Sequence, residues 1–157
     1  MKNLKISQIQ FEAKPTPLEN CDQLEKFYKK ALKFKPDLIC TPECSNIITS
    51  DKKHLFKFAN YQNDCPILKM SKEFAKENKK LIVITRGEKG AIAIHNDLLE
   101  EVSAFKNLEI KDLTGAGDLF AAGFLHGYVN NFSTKESLSK GTEMSSKIIQ
   151  QIGARLN

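Results

Sequence analysis

The chain has no apolar run approaching the roughly 20 residues that cross a bilayer, no cysteine after Cys65 and no arginine before Arg86. The first absence excludes a helical membrane span. The opening "MKNLKISQIQ" alternates charge with single apolar residues and is not expected to be a secretory leader. A cytoplasmic protein without a membrane partner is the expectation. Without an export signal, Cys21, Cys40, Cys44 and Cys65 read as reduced thiols rather than as a disulfide framework. Cys40 and Cys44 form a C-x3-C pair, but a zinc site needs about four ligands. The histidines, His54, His95 and His126, stand singly and read as surface or packing residues.

The scarcity of arginine leaves an uneven charge. Residues 1–80 hold 16 lysines against 10 acids, net +6, and residues 81–157 hold 8 basic residues against 9 acids, net −1, together the +5 of the whole chain. In "LEKFYKKALKFK" the lysines fall between apolar positions at helical spacing, so they read as a solvated helix face and not as a nucleic-acid patch. At 157 residues and 41% apolar, the chain has room for one ordinary domain.

What is present is α/β grammar. "LKISQIQ" carries partial strand alternation, and Asn20 stands where a helix would open, followed by Leu24, Phe27, Tyr28, Ala31 and Leu32 on one face. Gln23 stands where the partner of Asn20 in a capping box would. "DLICT" reads as a short strand ending at Pro42-Glu43, and Pro66 as the first-turn residue of a second helix through Ile67, Met70, Phe74 and Ala75. From Leu81 the spacing tightens. "LIVIT", the turn "RGEKG" and "AIAIH" predict a hairpin, with "LEEVSAF" and "LEIKD" as further strand candidates. Thr114 is placed as the N-cap of a helix on which Phe120, Phe124 and Tyr128 recur every four residues, while Gly123 and Gly127 keep another face small. Ser133 and Glu136 predict a capping box for a last helix through Leu138, Ile148 and Ile149.

The stretch "TGAGD", Thr114 to Asp118, raises the chemical question. Gly115, Ala116 and Gly117 at a helix N-terminus expose unpaired N–H groups where the helix dipole adds partial positive charge, an arrangement that receives an anion. Asp118 beside it cannot bind an anion. It either complements the dipole or takes the proton of an attacking hydroxyl. Phosphoryl transfer needs that combination of a base for the nucleophile and donors for the transferred group.

"DLTGAGDLFAAGF" resembles the C-terminal signature of the ribokinase/PfkB family of sugar and nucleoside kinases, and "VITRGEKGA" resembles the nucleotide-side strand and turn that precede it there. The likeness runs over about residues 80–155, with Leu113 where the family usually has threonine. It implies ATP-dependent phosphoryl transfer to a hydroxyl of a sugar or nucleoside, with magnesium. Asp118 would be the general base and Gly115, Ala116 and Gly117 the anion hole. Thr85, Gly87 and Gly90 would lie near the ATP phosphates, and Asp112 and Thr114 would help hold a monovalent cation such as potassium. The implied partners are a nucleotide and a small-molecule substrate, with no nucleic acid. Family members are about twice this length or more, so the chain is expected to lack the acceptor-binding part, and its own turnover is left open.

Residues 1–80 are similar instead to the N-terminus of the nitrilase, or carbon-nitrogen hydrolase, superfamily. "ISQIQF" matches its first strand, and "PDLICTPE" the strand delivering a catalytic glutamate, here Glu43. That chemistry also needs a downstream thiolate, which the chain does not have. The expected architecture is therefore α/β in two parts: residues 1–80 as the first β-α-β-α elements of a nitrilase-like fold, and 81–157 as a truncated, Rossmann-like kinase segment. The alternatives to a kinase are an amidase-type hydrolase and an inactive chimeric product.

Overall fold

A computed structural model describes residues 5–53 and 65–156. Its contacts divide into two units, residues 1–73 and 74–157.

In the first unit, β1 (Ile6–Gln8) and β2 (Leu38–Cys40) pair in parallel, Ile6 with Leu38 and Gln8 with Cys40, and α1 (Pro17–Leu32) crosses between them. A parallel pair requires such a crossover. Helix α1 starts at Pro17, whose fixed φ suits a first turn, with Glu19 in that turn and Lys29 and Lys30 in the last, signs that complement the helix dipole. Cys21, Leu24 and Ala31 bury its apolar face. Asn20 does not open the helix. It lies inside the first turn with no exposed surface, accepting from the Lys14 N–H at 2.7 Å and donating to the carbonyls of Lys14 at 2.8 Å and Asn46 at 2.9 Å. An amide that satisfies two loops at once is more useful there than as a cap.

Helix α2 (Pro66–Asn78) begins at the expected proline and carries the division between the units. It stops where Lys79 turns left-handed, φ 51°, and Lys80 N–H donates to Ala75 O at 3.1 Å.

The second unit is an antiparallel meander and a helix pair. Strands β3 (Leu81–Thr85), β4 (Ala91–His95) and β5 (Leu98–Val102) pair in that order, Val83 with Ala93 and Ala93 with Glu100. Helices α3 (Ala116–Val129) and α4 (Thr134–Ile148) follow. Ala91 and Ala93 meet Phe120, Phe124 and Leu138 in the core, with Leu81, Val83, Val102 and Leu125 packed around them. Ile92 and Ile94 are equally buried on the opposite face of β4. The Ser133–Glu136 capping box forms, Ser133 N–H donating to the glutamate at 2.9 Å and Glu136 N–H to the serine oxygen at 3.2 Å. The stretch "LEIKD" is not a strand, because the N–H groups of Lys111 and Asp112 bond Ile149 O beyond α4, at 2.8 and 3.3 Å. Helices α3 and α4 touch at backbone distance. A Cβ added to Gly123 would lie 2.7 Å from Lys140 O, one on Gly141 2.8 Å from Phe120 O, and one on Gly127 2.9 Å from the Ser137 hydroxyl. No helix among the described residues is long and apolar enough to cross a membrane.

Candidate active site

The start of α3 is shaped by three constraints. Gly115, not Thr114, is the N-cap residue, in the left-handed region at φ 81°, where a side chain is strained. Ser145 on α4 donates to Ala116 O at 2.6 Å and so fixes the first turn from the neighbouring helix. Ahead of the turn, Asp112 holds Thr114. One carboxylate oxygen accepts the Thr114 N–H at 2.9 Å and its hydroxyl at 2.7 Å, and the other accepts the Gly153 N–H at 3.0 Å. These bonds, the Thr114 N–H first, hold the Asp112 carboxyl below the usual carboxylate range.

The three N–H groups expected to form the anion hole are not equivalent. Ala116 N–H already donates to Leu113 O at 3.2 Å, whereas those of Gly115 and Gly117 have no acceptor among the described residues. The space over Gly117 is open, since an added Cβ there would meet nothing within 4 Å. Asp118 lies in the first turn and is exposed. The arrangement can receive an anion on backbone donors with a carboxylate beside it.

The "TRGEKG" turn is likewise divided. Thr85 ends β3, and Gly87, at φ 57°, is exposed with open space beside it. Gly90 is buried. Its N–H bonds Gly87 O at 3.0 Å and its carbonyl accepts from Arg86 at 2.7 Å, so it closes the turn and has no N–H to offer a ligand. Arg86 reaches Lys89 O at 3.1 Å and pairs with Glu101 on β5. Glu43 is exposed in the turn after β2, next to Cys44, which is left-handed at φ 55°. Cys40 and Cys44 are exposed thiols and Cys21 is a buried one. His95 and His126 are exposed, and His54 lies outside the described residues.

In this structure Asp112 and Thr114, the implied cation ligands, bond each other and Gly153. Both carboxylate oxygens of Asp112 already accept protein N–H or O–H groups, and the Thr114 hydroxyl proton points to Asp112. Sequence reasoning missed the segment after α4 altogether. Gly153 in "QIGAR" was the available signal, a glycine just past an amphipathic helix, but nothing local says that it returns to Asp112.

The family model described as pfkB family carbohydrate kinase matches residues 23–157. The ATP-dependent 6-phosphofructokinase of Thermoanaerobacterium thermosaccharolyticum is 32% identical over 129 residues, 81% of this chain and 35% of that protein. Among solved structures, the adenosine kinase from Sinorhizobium meliloti is similar at a TM-score of 0.54 and 31% identity, over 66% of this chain and 29% of that one. The nucleoside kinase of Methanocaldococcus jannaschii has a like fold, TM-score 0.55 at 22% identity, over 88% of this chain and 42% of that one. The chain thus spans about a third of the phosphofructokinase it matches.

These likenesses give support to the kinase part of the two-part expectation and none to a nitrilase-like part. The kinase match begins at residue 23 rather than near residue 80, and takes in most of α1, then β2 and α2. Nothing supports a nitrilase-like part in residues 1–80 or a hydrolase site at Glu43. The stretches behind that resemblance encode a β-α-β unit ending in a Pro-Glu turn, which many α/β folds share.

Proposed function

The chain belongs to the pfkB family of carbohydrate kinases, and on that premise we propose that it contributes the nucleotide side and the base of an ATP-dependent phosphoryl transfer to a hydroxyl of a sugar or nucleoside. The observation that carries this reading is the start of α3, where Gly115 and Gly117 leave N–H groups without acceptors, open space lies over Gly117, and Asp118 stands exposed in the same turn. Gly115 and Gly117 would hold a phosphate by backbone donation, assisted by the helix dipole. ATP supplies the transferable phosphoryl group. Asp118 would take the proton of the acceptor hydroxyl on its carboxylate and orient that oxygen. Thr85 and Gly87 would stand near the phosphates from the β3–β4 turn. No residue is assigned to magnesium. At such sites magnesium is held largely by substrate phosphates and water, and among the described residues no three acidic, cysteine or histidine side chains converge.

The acceptor stays at the level of a hydroxyl-bearing sugar or nucleoside. The test is calorimetry of ADP and ATP with the purified chain, with and without magnesium, followed by ADP release across a panel of sugars and nucleosides. Binding of either nucleotide is the expected result, and a chain that binds neither would sink the proposal.

A further inference from the structure

The start of α3 is not built by that helix alone. Residues 149–155, beyond α4, return to the turn that precedes it. Lys111 and Asp112 donate to Ile149 O, Gly153 donates to Asp112, and a Cβ placed on Gly115 would lie 2.9 Å from that of Ala154. The second oxygen of the same carboxylate holds Thr114. One side chain thus joins two segments 41 residues apart in sequence.

We propose that Asp112 is a positioning residue: by clipping residues 149–155 onto the Gly115 turn, it fixes the direction in which the start of α3 offers its N–H groups to a nucleotide phosphate. The proposal rests on the nucleotide reading above, and the salt comparison below separates it from the role of cation ligand that the resemblance implies. The clip needs two acceptor oxygens, one for each segment. A carboxylate has two, whereas an amide of the same size has one, and would turn its NH₂ toward a donor on the other side. Asp112→Asn therefore releases one of the two segments without changing volume. Because Gly115 has no room for a side chain, the two backbones are in contact, and movement of the C-terminal segment is felt at the N-cap.

The test uses the full chain. Hydrogen exchange is followed in the C-terminal peptide containing Gly153 and in residues 120–128 of α3, and ADP affinity is measured in potassium and in tetramethylammonium salts. Asp112→Asn is expected to speed exchange of the C-terminal peptide about tenfold or more, as for a lost charge-assisted hydrogen bond. It should leave the α3 interior protected and weaken ADP about tenfold in both salts. Should that variant not fold, Thr114→Val, at an exposed position, removes one donor from the same carboxylate and is expected to act in the same direction by a smaller factor. Unchanged exchange in the folded variant overturns the clip. Faster exchange with native ADP affinity overturns the positioning role and leaves a purely structural tie. An affinity loss seen only in potassium overturns the proposal in favour of a cation ligand. If the native chain binds no ADP, the nucleotide reading fails and the positioning role with it, while the exchange result still decides whether the clip exists.

Discussion

Gly117→Glu separates the stability of α3 from its proposed use. Gly117 sits at the second position of the helix, and an added side chain enters open space. Replacing glycine by a residue with a Cβ lowers the entropy of the unfolded chain and stabilises a helix by about 0.5 kcal/mol at such a site. A carboxylate in the first turn adds roughly 0.3–1 kcal/mol through the dipole. Together these raise the melting temperature by about 2–4 °C for a chain of this size. For phosphate the sign reverses. A glutamate about 4 Å from a phosphate oxygen repels each charge by about 1 kcal/mol even in water, so two or three phosphate charges weaken ADP by about 2–3 kcal/mol, roughly 30- to 150-fold. Differential scanning fluorimetry and titration calorimetry read the two quantities on the same sample. The expected pair is a higher melting temperature with ADP binding lost. A variant that melts higher and binds ADP like the native chain would refute the assignment of phosphate to the α3 N-terminus.

Asp118→Asn is expected to leave ADP affinity within about twofold of native while lowering acceptor-dependent ADP release by about 10²-fold or more; equal loss of both would make Asp118 a binding residue instead. With the 157-residue chain alone, release itself should be small, because the chain spans only 35% of its phosphofructokinase relative and in-line positioning of the acceptor contributes up to roughly 7–11 kcal/mol. Gly90→Ala should fail to fold, since its Cβ would stand 2.0 Å from Val102 O in a backbone at φ 84°; a soluble variant with native circular dichroism would contradict the packing described for β5. Burial pushes the Cys21 thiol from 9.0 up to about 11, with Cys65 and Asp22 adding to it. The neutral thiol is favoured in the fold, so its contribution is complete below pH 9 and lost as pH rises towards 11. Urea titrations should show stability falling across that window and a shallower fall in Cys21→Ala, the residual slope above pH 10 coming from Tyr28, which burial pushes up to about 12.

Features written in short, contiguous stretches were legible in the sequence. The β3–β4 hairpin, the Pro66 start of α2 and the Ser133–Glu136 box each depend on residues within a few positions of one another, and all stand where they were expected. The α3 turn was legible as chemistry because "TGAGD" places small residues and an acid at one helix end. Its cap was not, since Thr114 and Gly115 both suit an N-terminus and only the tie to Asp112 decides between them. Asn20 misled for a related reason, as its buried amide serves Lys14 and Asn46, the latter 26 residues away. "LEIKD" has strand composition but donates its N–H groups to the end of α4. The nitrilase-like reading of residues 1–80 finds no support, since a β-α-β unit with a Pro-Glu turn carries little family information on its own.

The glycines at which α3 meets α4 also set how this chain can vary. Every residue other than glycine brings a Cβ, and at Gly123, Gly127 and Gly141 that one atom would stand 2.7–2.9 Å from the facing helix. Each of these positions therefore has no neutral neighbour in sequence space, however conservative the replacement. Gly87 and Gly117, with nothing within 4 Å, have room for a side chain, and at Gly117 the backbone adds no left-handed strain. The eight glycines thus include some that geometry alone holds fixed and others that only a ligand could hold fixed. Variation across natural copies of the chain should be silent at the helix crossing whatever the protein does, and informative at Gly117, where retention of glycine would have to be enforced by what binds there.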